Sequence, residues 1–86
     1  MSSLAITVTV QLFAIYQEVY KVRKLVLTLP PQTPVSQVLE HCIGEHPELE
    51  RWRPLTHFGV NLQFVPPETP LSNGDEVVLI PPVSGG

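Results

Sequence analysis

The sequence predicts an α+β domain in which one main helix packs across one mixed sheet, and three observations predict it. Apolar residues alternate with period two at the start of the chain and again after a short polar break. One central stretch switches to the helical period and carries helix punctuation at both ends. The second half then falls into short apolar runs separated by Pro, Asn and Gly, the pattern of brief strands joined by turns. With 86 residues the chain is long enough for one core and too short for two, so residues 1–86 read as a single domain. A hydrophobic share of 43% against 15% charged residues can furnish that core despite ten prolines.

From Leu4 onward Ile6, Val8, Val10 and Leu12 share one face, and Thr7, Thr9, Gln11 and Phe13 share the other, as in a half-buried strand. After the break "YQEVYK", the stretch "VRKLVLTLP" repeats the alternation through Leu25, Leu27 and Leu29. Pro30-Pro31 ends it, because proline cannot donate to a ladder. The two strands read as a hairpin. In "TPVSQVLEHCIG" the residues Val35, Val38, Leu39, Cys42 and Ile43 form one stripe of an amphipathic helix, with Thr33 as N-cap, Pro34 at the first position and Gly44 just past the end. "EHPELERWRPL" offers a helical turn from Pro47 that tucks Leu49, Trp52 and Leu55 against the core. Short strands follow around Val60 and at Phe64-Val65, joined by a turn at Asn61-Leu62-Gln63. Asn73-Gly74 makes a tight turn into the closing strand "EVVLI".

Composition excludes several classes of function. A net charge of −3 with five Lys plus Arg argues against a nucleic-acid partner, whose binding rests on clustered cations. No apolar run approaches the ~20 residues of a membrane span. The N-terminus lacks a signal-peptide pattern and Cys42 is the only cysteine, so a cytoplasmic location is expected. Cys42 lies on the apolar helix stripe and reads as core. His41, Cys42, His46 and His57 match no paired-ligand spacing, so no metal is expected. Glu40, Glu45, Glu48 and Glu50 read as solvated helix charge, and no phosphate-binding glycine motif occurs.

The reactive group left over is the carboxylate at Gly86. Free, it is ionised and a poor electrophile; to react it must first be activated as a mixed anhydride in another protein's nucleotide site. Gly85-Gly86 suits threading into a narrow channel, since neither residue carries a Cβ. Pro81-Pro82 favours an extended conformation that projects Val83, Ser84, Gly85 and Gly86 from the sheet. From the residues alone, a frayed end is an equally good reading.

The segments Val60-Asn61, "PLSNGDEV" from Pro70 to Val77 and "PPVSGG" from Pro81 to Gly86 closely resemble the C-terminal third of the molybdopterin synthase small subunit family, with "VQLFA" from Val10 and the helix start from Thr33 to Leu39 also similar. These are ubiquitin-like sulfur carriers of β-grasp fold, which implies a mixed sheet of four to five strands on one main helix and a flexible C-terminal tail over residues 81–86. The resemblance implies that an adenylating and sulfur-loading enzyme uses ATP to activate Gly86, which becomes a thiocarboxylate. The tail then enters the large synthase subunit, in a heterotetramer of two small and two large subunits, and its sulfur passes to cyclic pyranopterin monophosphate in molybdenum cofactor synthesis. The chain itself then binds no cofactor and is a non-catalytic subunit, the catalytic side chains lying in the large one. Rival readings are a sulfur carrier for thiamine thiazole synthesis and a ubiquitin-like modifier or interaction module. The family commonly has Arg-Glu and a glycine after the first strand, where this chain has Gln17-Glu18 and "VYKVRK", so a longer or differently shaped first hairpin is expected.

In such a fold the first and last strands lie side by side. Val77 and Leu79 then join the core, while Phe13 and Ile80 face outward as an apolar docking patch beside the tail, with Phe64 at its margin. The expected partner-binding set is therefore Phe13, Phe64, Ile80, Pro81, Pro82, Val83 and Ser84, with Gly85 and Gly86 as the reacting end.

Overall fold

The computed structural model of the chain describes residues 4–82. Five strands form one sheet: β1 (Ile6–Gln11), β2 (Lys24–Leu29), β3 (His57–Val60), β4 (Gln63–Val65) and β5 (Glu76–Ile80). Their spatial order is β2-β1-β5-β3-β4. β1 and β2 form the expected antiparallel hairpin, in register from Ile6 opposite Leu29 to Gln11 opposite Lys24. β5 lies parallel to β1, with Gln11 opposite Val78, and antiparallel to β3. A parallel pair needs a long crossover. Here the whole middle of the chain supplies it, including α2 (Ser36–Glu45), the helix that packs on the sheet. This is the ubiquitin-like β-grasp, α+β, with the chain's first and last strands at the centre.

The core forms where the two periodicities meet. Ile6, Val8, Val10 and Leu12 from β1 and its exit are buried, as are Val77 and Leu79 from β5. Against them lie Val35, Val38, Leu39, Cys42 and Ile43, the predicted helical stripe, also buried. Leu25, Leu27 and Leu29 of β2 flank this cluster half-buried. Burying such side chains contributes about 1.5–3 kcal/mol each.

Several local features differ from the sequence expectation. The polar break between the first two strands contains a helix, α1 (Ile15–Tyr20). Six residues are too few to hold a helix by propensity, so tertiary contacts must hold it. Tyr16 is buried, and its hydroxyl bonds the Thr56 hydroxyl. Tyr20 donates to Glu45 Oε1 at 2.6 Å and meets the His46 ring edge-on. The helix is entered and left through positive φ, 51° at Ala14 and 63° at Lys21. The connection between β1 and β2 is thus a short helix rather than a plain polar turn.

Thr33 does not cap α2; its hydroxyl donates to the Pro30 carbonyl at 2.6 Å. The backbone of Thr33 to Val35 is engaged elsewhere. Val35 N–H donates to Thr69 O at 2.8 Å, and Leu71 N–H donates to Thr33 O at 2.9 Å. Gly44 lies inside α2, which closes one residue later with the His46 N–H on Cys42 O at 2.8 Å. The segment Pro47–Leu55 is a 3₁₀ helix that buries Leu49 and half-buries Trp52 but leaves Leu55 exposed at its end. The β3–β4 turn is two residues long rather than three, because Gln63 already pairs with Val60. Its φ values of 51° at Asn61 and 72° at Leu62 are those of a tight hairpin turn.

Candidate functional site

The "PLSNGDEV" motif builds the support for the last strand. Asn73 Oδ1 accepts the Thr7 N–H at 2.8 Å, and the Gly74 N–H donates to Thr7 O at 2.8 Å, fastening the turn to the start of β1. Gly74 sits at φ 87°, a conformation that favours glycine. Asp75 accepts from the Ser72 N–H at 2.8 Å and from Asn61 Nδ2 at 2.9 Å. Asn61 in turn accepts the Glu76 N–H at 3.0 Å and donates its own N–H to Glu76 O at 2.9 Å. One polar network thus ties β1, the β3–β4 turn and the start of β5 together. Its output is the position of β5, and through β5 the direction in which Pro81 and Pro82 leave the sheet.

The outer face of the sheet, opposite α2, follows from the register. Lys24, Gln11, Val78, Gly59 and Phe64 are successive partners across all five strands, so they form one row on this face. At the β3–β4–β5 end the row opens into an apolar groove of about 160 Å³ lined by Gly59, Leu62, Gln63, Phe64, Val78 and Ile80. Phe64 is 80% exposed and Leu62 92%. Gly59 makes the groove's floor. A Cβ there would stand 3.6 Å from both Ile80 Cδ1 and Val78 Cβ. Leu62 combines high exposure with a positive φ that a branched side chain adopts only at a cost.

The structure brings Ile80 and Phe64 together in this groove. Phe13 lies outside it, half exposed, just beyond β1. Because β1 and β5 run parallel and Gln11 pairs with Val78, Phe13 and Ile80 stand at the same end of the sheet, each two residues past that pair. Pro81 and Pro82 follow Ile80 there, half-buried. Val83, Ser84, Gly85 and Gly86 lie outside the described residues. Leu62 and Gly59 were not singled out by the sequence: an apolar residue in a turn and a glycine in a short strand acquire meaning only through their cross-strand neighbours.

The other chemically suggestive residues are dispersed. Cys42 is fully buried, and burial pushes its thiol pKa up, away from thiolate character. Burial likewise raises the Tyr16 and Tyr20 hydroxyls, with the bond to Glu45 adding to the rise at Tyr20. Glu50 and Glu40 both bind Arg53. The hydrogen bond from Arg53 holds the Glu50 carboxyl below its ordinary range, and the Glu50 bond raises Arg53. His41 Nε2 stands 3.5 Å from Glu45 Oε1, while His57 is on β3, exposed. Among the described residues no three His, Cys, Asp or Glu side chains converge on one point. No helix among them is long and apolar enough to cross a membrane.

Comparison with known proteins gives the site its context. A model of the ThiS family matches residues 10–86. The molybdopterin synthase sulfur carrier subunit of Chlamydomonas reinhardtii is 34% identical over 86% of this chain and 92% of its own length. That of Arabidopsis thaliana is 28% identical over 95% of this chain and 85% of its own. Among solved structures, small archaeal modifier protein 1 from Haloferax volcanii superposes with a TM-score of 0.77 at 28% identity, over 93% of this chain and 99% of that one. A putative molybdopterin converting factor subunit 1 from Pyrococcus furiosus gives a TM-score of 0.78 at 23% identity, over 91% and 99%. A complex of subunits 1 and 2 of the molybdopterin-converting factor from Helicobacter pylori gives 0.63 at 24%, over 94% and 100%.

Proposed function

We propose sulfur carriage in molybdenum cofactor synthesis as the function, from the premise that this chain belongs to the ThiS family and stands with the molybdopterin synthase sulfur carrier subunits. The observation that carries the reading is a family match that runs through the outer-face groove and on to Gly86. Both curated relatives are named for molybdopterin synthase, which favours that pathway over thiamine thiazole synthesis.

In this reading the Gly86 carboxylate attacks the α-phosphate of ATP in an adenylating partner, pyrophosphate leaves, and an acyl-adenylate remains. Sulfur delivered at the sulfide level by a donor attacks the acyl carbon, the bond to AMP breaks and AMP leaves, and a thiocarboxylate remains. The loaded tail then enters the large synthase subunit, where its sulfur is transferred to cyclic pyranopterin monophosphate and hydrolysis returns the carboxylate. The chain needs no bound cofactor of its own for this. Its side chains dock and aim, and the partners supply the catalytic groups. Gly85 adds no Cβ next to the reacting end, Pro81 and Pro82 lead the chain from β5 toward it, and Val83 and Ser84 belong to the stretch that meets the partner. Ile80 and Phe64, with Phe13 at the same end of the sheet, make the apolar contact. The Helicobacter pylori complex, which joins subunit 1 to subunit 2, supports a large-subunit partner; we infer a heterotetramer of two small and two large subunits, working in the cytoplasm.

The likeness to small archaeal modifier protein 1 favours a second reading, attachment of Gly86 to lysines of target proteins. Intact mass spectrometry of the chain isolated with its activating enzymes separates the two. Exchange of one oxygen for sulfur at Gly86 is the expected result, whereas adducts to other proteins favour the modifier. Extending the chain by one residue after Gly86 is expected to abolish sulfur transfer with the fold unchanged. Transfer that survives the extension would sink the mechanism.

A further inference from the structure

The chain has five Lys plus Arg, and the structure puts them to unequal use. Arg53 is held by Glu40 and Glu50, and Arg51 lies over the Trp52 ring. The remaining three, Lys21, Arg23 and Lys24, fall within four residues, are all exposed, and make no ion pair among the described residues. Glu18, the acid nearest in sequence, is not paired with them, and Glu76 on the outer face accepts from Gln11 Nε2 at 2.9 Å. In a chain of net charge −3 this is the one concentrated positive corner among the described residues.

Its place in the fold is specific. Lys24 opens β2 and pairs with Gln11 at the end of β1, while the Leu12 N–H donates to Arg23 O at 2.8 Å. Since β5 runs parallel to β1, the corner lies at the end of the sheet from which the tail leaves. Lys24 also terminates the outer-face row whose other end is Phe64. Four strand spacings separate them, roughly 19 Å. The helix α1 presents the corner, since its left-handed exit at Lys21 turns the chain back toward β2.

We propose that Lys21, Arg23 and Lys24 form the charge-reading half of a two-part docking surface, and that its occupant is a carboxylate cluster of the large synthase subunit beside the opening that receives the tail. This rests on the sulfur-carrier reading. The apolar groove supplies contact at one end of the row, and the cations supply orientation at the other. A partner with an apolar anchor but no acidic group about one sheet-width away docks less well. Charges of this kind act chiefly on encounter rate and on selection among partners, and salt weakens their effect.

The test measures association of the full chain with the large subunit from the same source by stopped flow or surface plasmon resonance, at low and high salt. In the variant K21Q/R23Q/K24Q we expect association about tenfold slower at low salt and a much flatter salt dependence. The control R51Q should behave as the wild type. Phe64→Ala should weaken binding at every salt concentration. A triple variant with wild-type rate and salt slope, or a loss matched by R51Q, overturns the proposal. So does a wild-type chain that fails to bind the large subunit. Sulfur loading at Gly86 is read separately by mass, so a loaded chain with an unaffected triple variant refutes the charged corner and leaves sulfur carriage standing.

Discussion

The two faces of β5 are made of the same kind of residue and put to opposite uses. Val77 and Leu79 point inward and are 0% exposed, packed with the β1 residues and the α2 stripe. Val78 and Ile80 point outward and stay half-buried, with Phe64 and Leu62 open beside them. Hydrophobicity alone does not distinguish these faces; register does. The inner face meets α2 within the same chain, while the outer face keeps an apolar groove that nothing in the described residues fills. A strand whose one side holds the fold can spend its other side on a partner without loss of stability.

The largest effect should come from crossing that divide. Leu79→Ala removes a fully buried side chain and should cost about 2–5 kcal/mol, read as a lower urea midpoint with little change in slope. Ile80→Ala, one residue on, should cost less than about 1 kcal/mol yet weaken large-subunit binding about tenfold, as a truncated interface anchor does. If Ile80→Ala proved as destabilising as Leu79→Ala, the outer face would be part of the core and the contrast would fail.

The inner face was legible in the sequence because its cause is local. Period-two alternation in β1 and the Val35 to Ile43 stripe report burial directly, and both match the structure. The outer groove was only partly legible. Ile80 and Phe64 follow from strand phase, but the roles of Gly59 and Leu62 depend on β3 standing between β4 and β5, which no short window of sequence encodes. The helix α1 was missed for a related reason. Its anchor, Tyr16, bonds Thr56, forty residues away. Thr33 reads as a cap by type, yet the strand-like pairing of Thr33 to Val35 with Thr69 to Leu71 takes precedence.

That anchor gives an intermediate effect. Thr56 Oγ1 donates to Trp52 O at 2.9 Å, so its one proton is used and the Tyr16 hydroxyl must be the donor to it. Tyr16→Phe keeps the ring in the core and deletes only that bond, for an expected loss of about 1 kcal/mol by denaturant unfolding. Hydrogen exchange in α1 should quicken more than in α2, because α1 depends on this contact and α2 on its apolar stripe. Uniform loss of protection across both helices would show that α1 is integral to the core rather than clipped onto it.

The smallest effect probes the groove floor. Gly59 is buried in β3 without a positive φ, so alanine is conformationally allowed there. The added methyl would meet Gln63 O at 3.5 Å and Ile80 Cδ1 and Val78 Cβ at 3.6 Å, ordinary contact distances. Stability should therefore hold or rise by about 0.5 kcal/mol, since alanine restricts the unfolded chain more than glycine does. The same methyl occupies part of the space that a partner's side chain would fill, and affinity for the large subunit should fall about threefold, a few tenths to 1 kcal/mol in an imperfectly filled pocket. Stability and binding then move in opposite directions at a single atom. Parallel losses in both would mean that the methyl distorts the strands, and unchanged binding would mean that the partner rests on Phe64 and Ile80 without reaching the floor between them.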